Sequence, residues 1–276
     1  MSQSRQSRGI TLWAVGAVVA LAVWVAPQAA AETTAPTPPP VELQAEAILD
    51  RWAAAMGGAD AFAKIDTAVA EGTIEMVGLG IQGALTIRQA RPDHYAIEFE
   101  APALGRVRSG TNGEIAWEVS DLQGPRLVEG SEKEFLLRSS VIDQPVRWRE
   151  LYPTVELVGT ATVDDVTCHE LVLTPASGHP ETWFVAQSSG LVVKMAVTVT
   201  HVMGEIPVEI SLSDYRQVDG IMVPFRTMER MLMQQMLTTI SNVEHNVELP
   251  ADAFAPPDEV KALLAKGAAE PVPAGE

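Results

Sequence analysis

The feature that most constrains the fold is a change of hydrophobic period near Thr67. From there to about residue 247, apolar and polar residues alternate, and Gly, Pro or Asn-Gly interrupts the pattern roughly every 8–12 residues. Alternation is typical of strands with one buried face, and closely spaced turns favour antiparallel hairpins. The sequence therefore predicts a mainly β protein of about ten to eleven antiparallel strands, rolled into a sheet or an unclosed barrel.

Turn residues and periodicity together place the individual elements. Asn112-Gly113 is the strongest hairpin signal, and it predicts a type I′ turn with positive φ at both residues. Ser131-x-x-Glu134 precedes an apolar run and predicts a capping box that opens a helix among the strands. The predicted strands are 68–77, 81–89, 94–100, 109–111 with 115–119, 154–163, 166–173, 182–186, 191–201, 206–215, 221–237 and 239–247.

A different pattern precedes the strands. Apolar residues recur at helical spacing and Gly57-Gly58 follows them, which predicts an amphipathic helix over 43–56 and a short second helix near 60–65. The apolar residues of the first helix are Ala45, Ile48, Leu49, Trp52 and Met56. Since no Gly/Ser/Pro linker interrupts the chain, we expect one domain over 42–258, between a proline-rich spacer (32–41) and an acidic Ala/Pro-rich tail (259–276).

The amino terminus predicts export. Arg5 and Arg8 precede an apolar run over 10–26, and three alanines follow at 29–31, which is the pattern of a signal peptide over 1–31. The alternative is a retained anchor, because the run lies at the lower limit of a bilayer span. No cysteine lies near the cleavage site, so we expect no lipid anchor there. The expected location is the periplasm.

Charge and cysteine content exclude several classes of protein. Cleavage would remove Arg5 and Arg8 and change the net charge from −17 to −19, so nucleic acid and anionic headgroups are not expected partners. Cys168 is the single cysteine and cannot form an internal disulfide. Stability in an oxidising compartment must therefore come from the core.

Motifs for catalysis or metal binding are absent from the sequence. It contains no HExxH, paired CxxC, GxSxG or GxxxxGK[ST]. In Cys168-His169 the two side chains point to opposite faces of a strand, so we expect a buried, inert thiol. His179-Pro180-Glu181 is half of a zinc deaminase motif without its cysteine pair, and we interpret it as a turn. We expect no enzyme, cofactor or metal, although the fold could still assemble a dyad.

The positive chemical signal is apolar. Seven of the ten methionines follow Leu191 and could line a pocket that adapts to an aliphatic chain, or could simply fill the core. Apolar residues occur on both faces over 228–237, so we expect that strand to be covered on both sides. These methionines are Met195, Met203, Met222, Met228, Met231, Met233 and Met236.

Five segments, taken in order, carry a resemblance to a known family. They are 85–100 (LTIRQARPDHYAIEFE), 109–117 (SGTNGEIAW), 182–195 (TWFVAQSSGLVVKM), 213–227 (SDYRQVDGIMVPFRT) and 242–257 (NVEHNVELPADAFAPP). The first resembles the strand, Arg-Pro, aromatic, strand signature of the LolA-type lipoprotein carriers of the outer membrane. The others resemble the following hairpin, the strand pairs and the closing segment of that family. The chain is longer and more acidic than the small carriers.

The resemblance implies an unclosed barrel with helices over an apolar cavity that shields acyl chains between the inner and outer membranes. It implies lipid or lipoprotein acyl chains as ligands, with an inner-membrane donor and an outer-membrane acceptor as partners. Arg91 occupies the Arg-Pro position, and in the family this arginine contacts the lid helices and gates the cavity. A solvated charge at the end of a strand is the alternative for Arg91. The candidate cavity or gate residues are Arg91, Trp52, Met195, Met231, Met233 and Met236.

Two other functions stay open from the sequence. The sheet and its acidic surface could form a non-catalytic interaction module in a membrane-associated envelope complex. A hydrolase of lipids or sugars would require a histidine within hydrogen-bonding reach of a serine or carboxylate inside a cleft.

Overall fold

The computed structural model describes residues 41–201 and 204–267. The predicted signal peptide, residues 32–40 of the spacer and residues 268–276 of the tail lie outside this range. Among the described residues, no helix is long and apolar enough to cross a membrane.

Thirteen strands and five helices make up the described chain. The helices are α1 (Val41–Ala55), α2 (Gly58–Phe62), α3 (Gly130–Ser139), α4 (Trp148–Leu151) and α5 (Asp258–Gly267). The first six strands are β1 (Thr67–Met76), β2 (Ile81–Ala90), β3 (His94–Ala101), β4 (Gly105–Asn112), β5 (Ala116–Ser120) and β6 (Gly124–Val128). The others are β7 (Thr154–Val163), β8 (Val166–Thr174), β9 (Glu181–Ala186), β10 (Val192–His201), β11 (Gly204–Val218), β12 (Ile221–Met231) and β13 (Gln234–His245).

The strands form one antiparallel sheet in the order β6-β5-β4-β3-β2-β1-β13-β12-β11-β10-β9-β8-β7. Two meanders are joined where β1 pairs with β13, in a register that sets Ala68 opposite His245 and Met76 opposite Met236. Within the described sheet, β6 and β7 are the two edges and do not pair with each other. The predicted mainly β, unclosed antiparallel architecture is therefore confirmed.

The connection from β6 to β7 forms a lid. Because these consecutive strands occupy opposite edges of the sheet, the chain between them must cross from one side to the other. Helices α3 and α4 lie in this crossing, and α3 packs against both β5 and β10. The topology therefore places α3 over the inner face of the sheet.

Helix α1 packs against the same face. Its residues Ala45, Leu49 and Trp52 are buried at spacings of four and three, which puts them on one side of the helix. They pack with residues of β7, β8, β9 and β10, including Trp183. Trp183 and Glu181 are two positions apart in β9 and share a face, and α3 contacts Glu181. Helices α1 and α3 therefore cover one side of the sheet together.

The chain between α1 and α2 runs close to the turn between β11 and β12. Gly57 has φ 130°, and a Cβ there would lie 2.6 Å from the carbonyl oxygen of Gly220. The amide of Met222 donates to the carbonyl of Met56 at 2.8 Å. Glycine is required at position 57 because both the backbone angle and the close approach exclude a side chain.

Three apolar clusters hold the inner face together. The first joins α1 to β7–β10, the second joins β1–β4 to β12 and β13, and the third joins β10, β11 and β12. Full burial of one large apolar side chain contributes about 1.5–3 kcal/mol. Their largest members include Leu49, Trp183, Leu85, Phe99, Phe225 and Val208.

Strand boundaries differ from prediction in three places. Residues 124–128 form a strand, β6, that was not predicted, and β4 begins at Gly105 rather than 109. The single strand predicted over 221–237 is wrong, because β12 ends at Met231 and the chain turns at Leu232, whose φ is 53°. A leucine rarely adopts positive φ, so this turn lacks the usual Gly or Asn signal.

The predicted turn chemistry is also corrected. The hairpin at Asn112-Gly113 is confirmed, but its type I′ assignment is wrong because, of the two residues, Gly113 alone has positive φ (86°). The side-chain oxygen of Asn112 instead accepts from the amides of Glu114 and Ile115, at 3.1 and 2.8 Å. Positive φ at both positions occurs between β7 and β8, at Asp164 and Asp165.

Helix boundaries add two further corrections. The helix α3 is confirmed, but it begins at Gly130 without a side-chain cap, so the capping box at Ser131 is wrong. The acidic tail predicted from 259 begins instead as helix α5, and Val260 is fully buried beside Trp117 and Val119. Trp117 and Glu118 face opposite sides of β5, so α5 covers the outer face there.

Candidate functional site

A cavity of about 290 Å³ lies between α3 and the inner face of the sheet. Its apolar lining comes from all three clusters and from α3, with four aromatic rings among it. Charged side chains also line it, so the wall of the predicted apolar cavity is partly charged. The apolar and aromatic lining residues are Tyr95, Ile97, Val128, Phe135, Leu136, Tyr152, Trp183, Met195, Val197 and Ile210.

One wall of the cavity holds a buried carboxylate with four hydrogen bonds. Glu181, at the start of β9, is 2% exposed. One of its oxygens accepts from Nε and Nη2 of Arg138 at 3.1 and 2.5 Å. The other accepts from the hydroxyl of Tyr152 and from Nε1 of Trp183, both at 2.9 Å. Because buried charge is costly unless it is paired, this network satisfies both oxygens of Glu181.

Tyr152 and Arg138 both stay protonated in this network. Burial raises the pKa of Tyr152 well above its ordinary range, and the charge of Glu181 raises it further, so the hydroxyl stays a donor. Burial opposes the charge of Arg138, but the nearby carboxylate more than offsets it and the pKa of Arg138 is raised. Arg138 therefore keeps its charge beside Glu181, and the pair ties the end of α3 to β9.

A second ion-pair network ties the start of α3 to the opposite side of the sheet. Arg126 of β6 donates to Glu118 of β5 at 3.0 Å and to Glu132 of α3 at 2.6 Å. The hydrogen bond to Glu132, opposed by burial, raises the pKa of Arg126 far above its ordinary value. Helix α3 is thus held at both ends, by Arg126 on one side and by Glu181 on the other.

Glu229 of β12 is the contrasting carboxyl in the cavity wall. Strand alternation places it on the same face as Phe225 and Met231, both of which are buried. Its neighbours across the sheet are Ile210 and Met236, which are also buried and apolar. No described residue forms a hydrogen bond or ion pair with its carboxyl group. Burial raises the pKa of Glu229 from 4.5 to about 7.

Tyr95 of β3 lies near Glu229 across the curved sheet. Burial raises the pKa of its hydroxyl, and the charge of Glu229 raises it further. Both residues line the cavity. The hydroxyl of Tyr95 therefore remains protonated and can donate to an acceptor or orient toward a ligand.

The structure separates the predicted cavity residues. Met195 lines the cavity. Trp52 lies behind the wall, packed edge to face against Trp183 with ring centroids 4.9 Å apart. Met231 and Met236 are core residues, 7% and 3% exposed, outside the cavity lining. Met233 is fully exposed at the tip of the β12–β13 hairpin, so its placement in the cavity is wrong.

Arg91 lies beside the lid, outside the cavity lining. Its Nε and Nη2 donate to the carbonyls of Ile65 and Phe62, each at 2.8 Å, around the end of α2. Its Nη1 donates to Asp143, which lies between α3 and α4. The guanidinium therefore joins the β2–β3 turn to the lid connection instead of lying free in solvent. Its role as a gate stays a prediction.

The other chemical candidates lie elsewhere. Cys168 is fully buried, and burial raises the pKa of its thiol, which makes it less reactive. Nδ1 of His245 lies 2.9 Å from Oδ2 of Asp219 near the β11–β12 turn, outside the cavity lining. Within the described ranges, no group of three or more His, Cys, Asp or Glu residues could hold a metal ion.

Sequence reasoning missed the charged residues of the cavity. The pattern His179-Pro180-Glu181 predicts a turn, yet Glu181 begins β9. Glu229 had a detectable signal, because it occupies the inward position of an alternating strand between Phe225 and Met231. No local pattern pointed to Arg138, because its partner Glu181 is 43 residues away in the chain.

The comparisons with known proteins give the fold. No family model and no curated protein matches the chain. A DUF1329 family protein from Desulfovibrio piger is 16% identical, with TM-score 0.52, over 76% of this chain and 96% of that one. A LolA superfamily protein from Nitrosomonas europaea is 15% identical, with TM-score 0.52, over 77% and 97%. A putative outer membrane lipoprotein-sorting protein domain from Vibrio parahaemolyticus is 10% identical, with TM-score 0.52, over 81% and 99%.

Proposed function

Because the chain has a LolA-like fold, we propose that it is a carrier of the bacterial envelope that binds a lipid or lipoprotein acyl chain between α3 and the sheet. The observation that carries the proposal is the cavity of about 290 Å³, lined mainly by apolar and aromatic side chains. This volume lies near the lower end of the range of about 300–1,000 Å³ for small-molecule sites. It suits one aliphatic chain better than a whole lipid.

The energetics of such a carrier follow from burial of the chain. Each CH₂ group moved from water into the cavity contributes about 0.8 kcal/mol. Release then requires an acceptor that binds the chain more tightly, or a movement of α3 that closes the space. Export to the periplasm and transfer between the inner and outer membranes belong to this proposal, as does the role of Arg91 as a gate acting through Asp143.

Two methionines offer a matched test. Met195→Trp should fill part of the cavity, whereas Met233→Trp adds the same bulk at an exposed hairpin tip. We expect the wild type and Met233→Trp to bind a neutral fluorescent monoacylglycerol, and Met195→Trp to bind it at least about tenfold more weakly. Fluorescence titration measures this, and native mass spectrometry detects lipid that co-purifies with the wild type.

The proposal would be overturned if the wild-type protein carried no lipid after gentle purification and also did not bind the fluorescent probe. Equal binding by both tryptophan variants would show that the probe occupies another surface. Circular dichroism and thermal unfolding of the two variants establish that each is folded before binding is compared.

A further inference from the structure

The charges of the cavity wall are unbalanced. The charged residues that line it are four carboxylic acids and one guanidinium, namely Glu118, Glu132, Glu181, Glu229 and Arg138. Glu181 is paired with Arg138, while Glu118 and Glu132 share Arg126. Glu229 is left without a cation among the described residues. The cavity wall therefore carries an excess of negative charge. An uncharged acyl chain does not require such a charge in its binding site.

The position of Glu229 makes the missing partner costly. Its carboxyl is flanked by Ile210 and Met236 across the sheet and by Met231 along the strand, and no described side chain donates a hydrogen bond to it. A charge held among apolar side chains without a partner destabilises a protein. A partner brought by a ligand would remove that cost on binding.

The surroundings of Glu229 suit a positively charged ligand group. The hydroxyl of Tyr95 lies near it, and the rings of Tyr95, Phe135, Tyr152 and Trp183 line the same space. Aromatic faces attract cations, and the attraction strengthens when water is excluded. By contrast, the guanidinium of Arg138 is already occupied by Glu181, so the wall offers no free cation to a ligand carboxylate.

We propose that the cavity is selective for amine-bearing amphiphiles, whose ammonium group pairs with Glu229 beside Tyr95 while the aliphatic chain occupies the apolar part of the cavity. This inference rests on the proposed function, because it requires that the cavity hold an aliphatic chain. It defines the ligand as cationic and excludes free fatty acids as preferred cargo.

Three probes of equal chain length test the selectivity: dodecylamine, dodecanol and dodecanoate. At about pH 8.5 the amine is still protonated and Glu229 is ionised. We expect the full chain to bind dodecylamine at least about tenfold more tightly than dodecanol, and dodecanoate most weakly. Isothermal titration calorimetry gives the affinities. Roughly 1 M NaCl reduces the Debye length to about 3 Å and suppresses attraction to the acidic surface.

Glu229→Gln is the decisive variant, and Glu71→Gln is its control because Glu71 is an exposed acid on β1. We expect Glu229→Gln to lose the preference for dodecylamine, leaving it within about threefold of dodecanol. Glu71→Gln should keep the preference. A wild-type preference that survives Glu229→Gln, or one that Glu71→Gln also abolishes, overturns the inference.

The pH dependence of dodecylamine affinity is a second test, and it uses the wild-type protein alone. Glu118, Glu132, Glu181, Arg138 and the two tyrosines face the same cavity, and the carboxyls other than Glu229 are all ion-paired. Affinity for dodecylamine should fall as the pH drops from about 8.5 to about 5.5, because Glu229 becomes protonated, while dodecanol affinity stays constant. A flat dodecylamine profile overturns the inference. If dodecanol does not bind at all, the proposed function fails instead.

Discussion

Two carboxyl groups in the cavity wall, those of Glu181 and Glu229, differ in their hydrogen-bond partners. Glu181 accepts four hydrogen bonds, from Arg138, Tyr152 and Trp183. Glu229 has apolar neighbours on both adjacent strands and, within the described part of the chain, no donor. The first is a structural element that ties the lid to the sheet. The second lies in a setting that raises its pKa to about 7, which is typical of a group that serves binding.

The largest expected effect comes from breaking the satisfied network. Arg138→Leu leaves the charge of Glu181 buried with two neutral donors, and we expect a loss of about 3–5 kcal/mol in the free energy of unfolding. Urea denaturation measures it. Arg149→Leu is the control, because Arg149 forms exposed ion pairs with Asp50 and Glu46 and should cost about 1 kcal/mol or less.

The double variant Arg138→Met with Glu181→Leu sharpens this test. Replacing both charges by apolar groups of similar size should restore part of the lost stability. No unpaired charge remains, although Tyr152 and Trp183 lose their acceptor. If Arg138→Leu costs no more than Arg149→Leu, the network does not hold the lid and the contrast with Glu229 fails.

Replacing Glu229 should change the free energy of unfolding in the opposite direction and stabilise the protein. Its pKa is raised to about 7, so the folded state binds more protons than the unfolded state between about pH 4.5 and 7. The free energy of unfolding of the wild type should therefore fall as the pH rises through this window and stay low above it. Glu229→Leu should remove that slope and stabilise the protein by about 3 kcal/mol at pH 8.

Urea denaturation across this pH range tests the prediction, with Glu71→Leu as the matched exposed control. That control should leave the slope unchanged. A Glu229→Leu protein less stable than the wild type at pH 8 would mean that the carboxyl has a stabilising partner, and the comparison with Glu181 would lose its basis.

The smallest effect is expected at Arg91, whose ion pair with Asp143 is more exposed than the Arg138–Glu181 pair. Arg91→Leu removes hydrogen bonds to the carbonyls of Ile65 and Phe62, and we expect a loss of about 1–2 kcal/mol. The release rate of bound fluorescent monoacylglycerol should also change if Arg91 is the gate. Arg88→Leu, on the neighbouring strand β2, is the control, and equal release rates in the two variants would remove the gate assignment.

The sequence by itself determined the class of fold. Alternation from Thr67 onwards fixed antiparallel strands, and the order of weak motifs, from Arg91-Pro92 to the closing Pro256-Pro257, indicated a LolA-like architecture that the solved structures confirm. Local patterns sufficed here because strand periodicity and turns depend on residues close together in the chain.

Local patterns were insufficient where no turn residue marked a boundary, as at Leu232, and the prediction for Met233 failed with it. The site itself was decided by tertiary structure. Arg138 meets Glu181 only because the lid must cross between the two edges of the sheet, and Glu229 and Tyr95 line one cavity only because the sheet curves. Such contacts join residues far apart in sequence, so no local pattern encodes which charge is paired and which is left for a ligand.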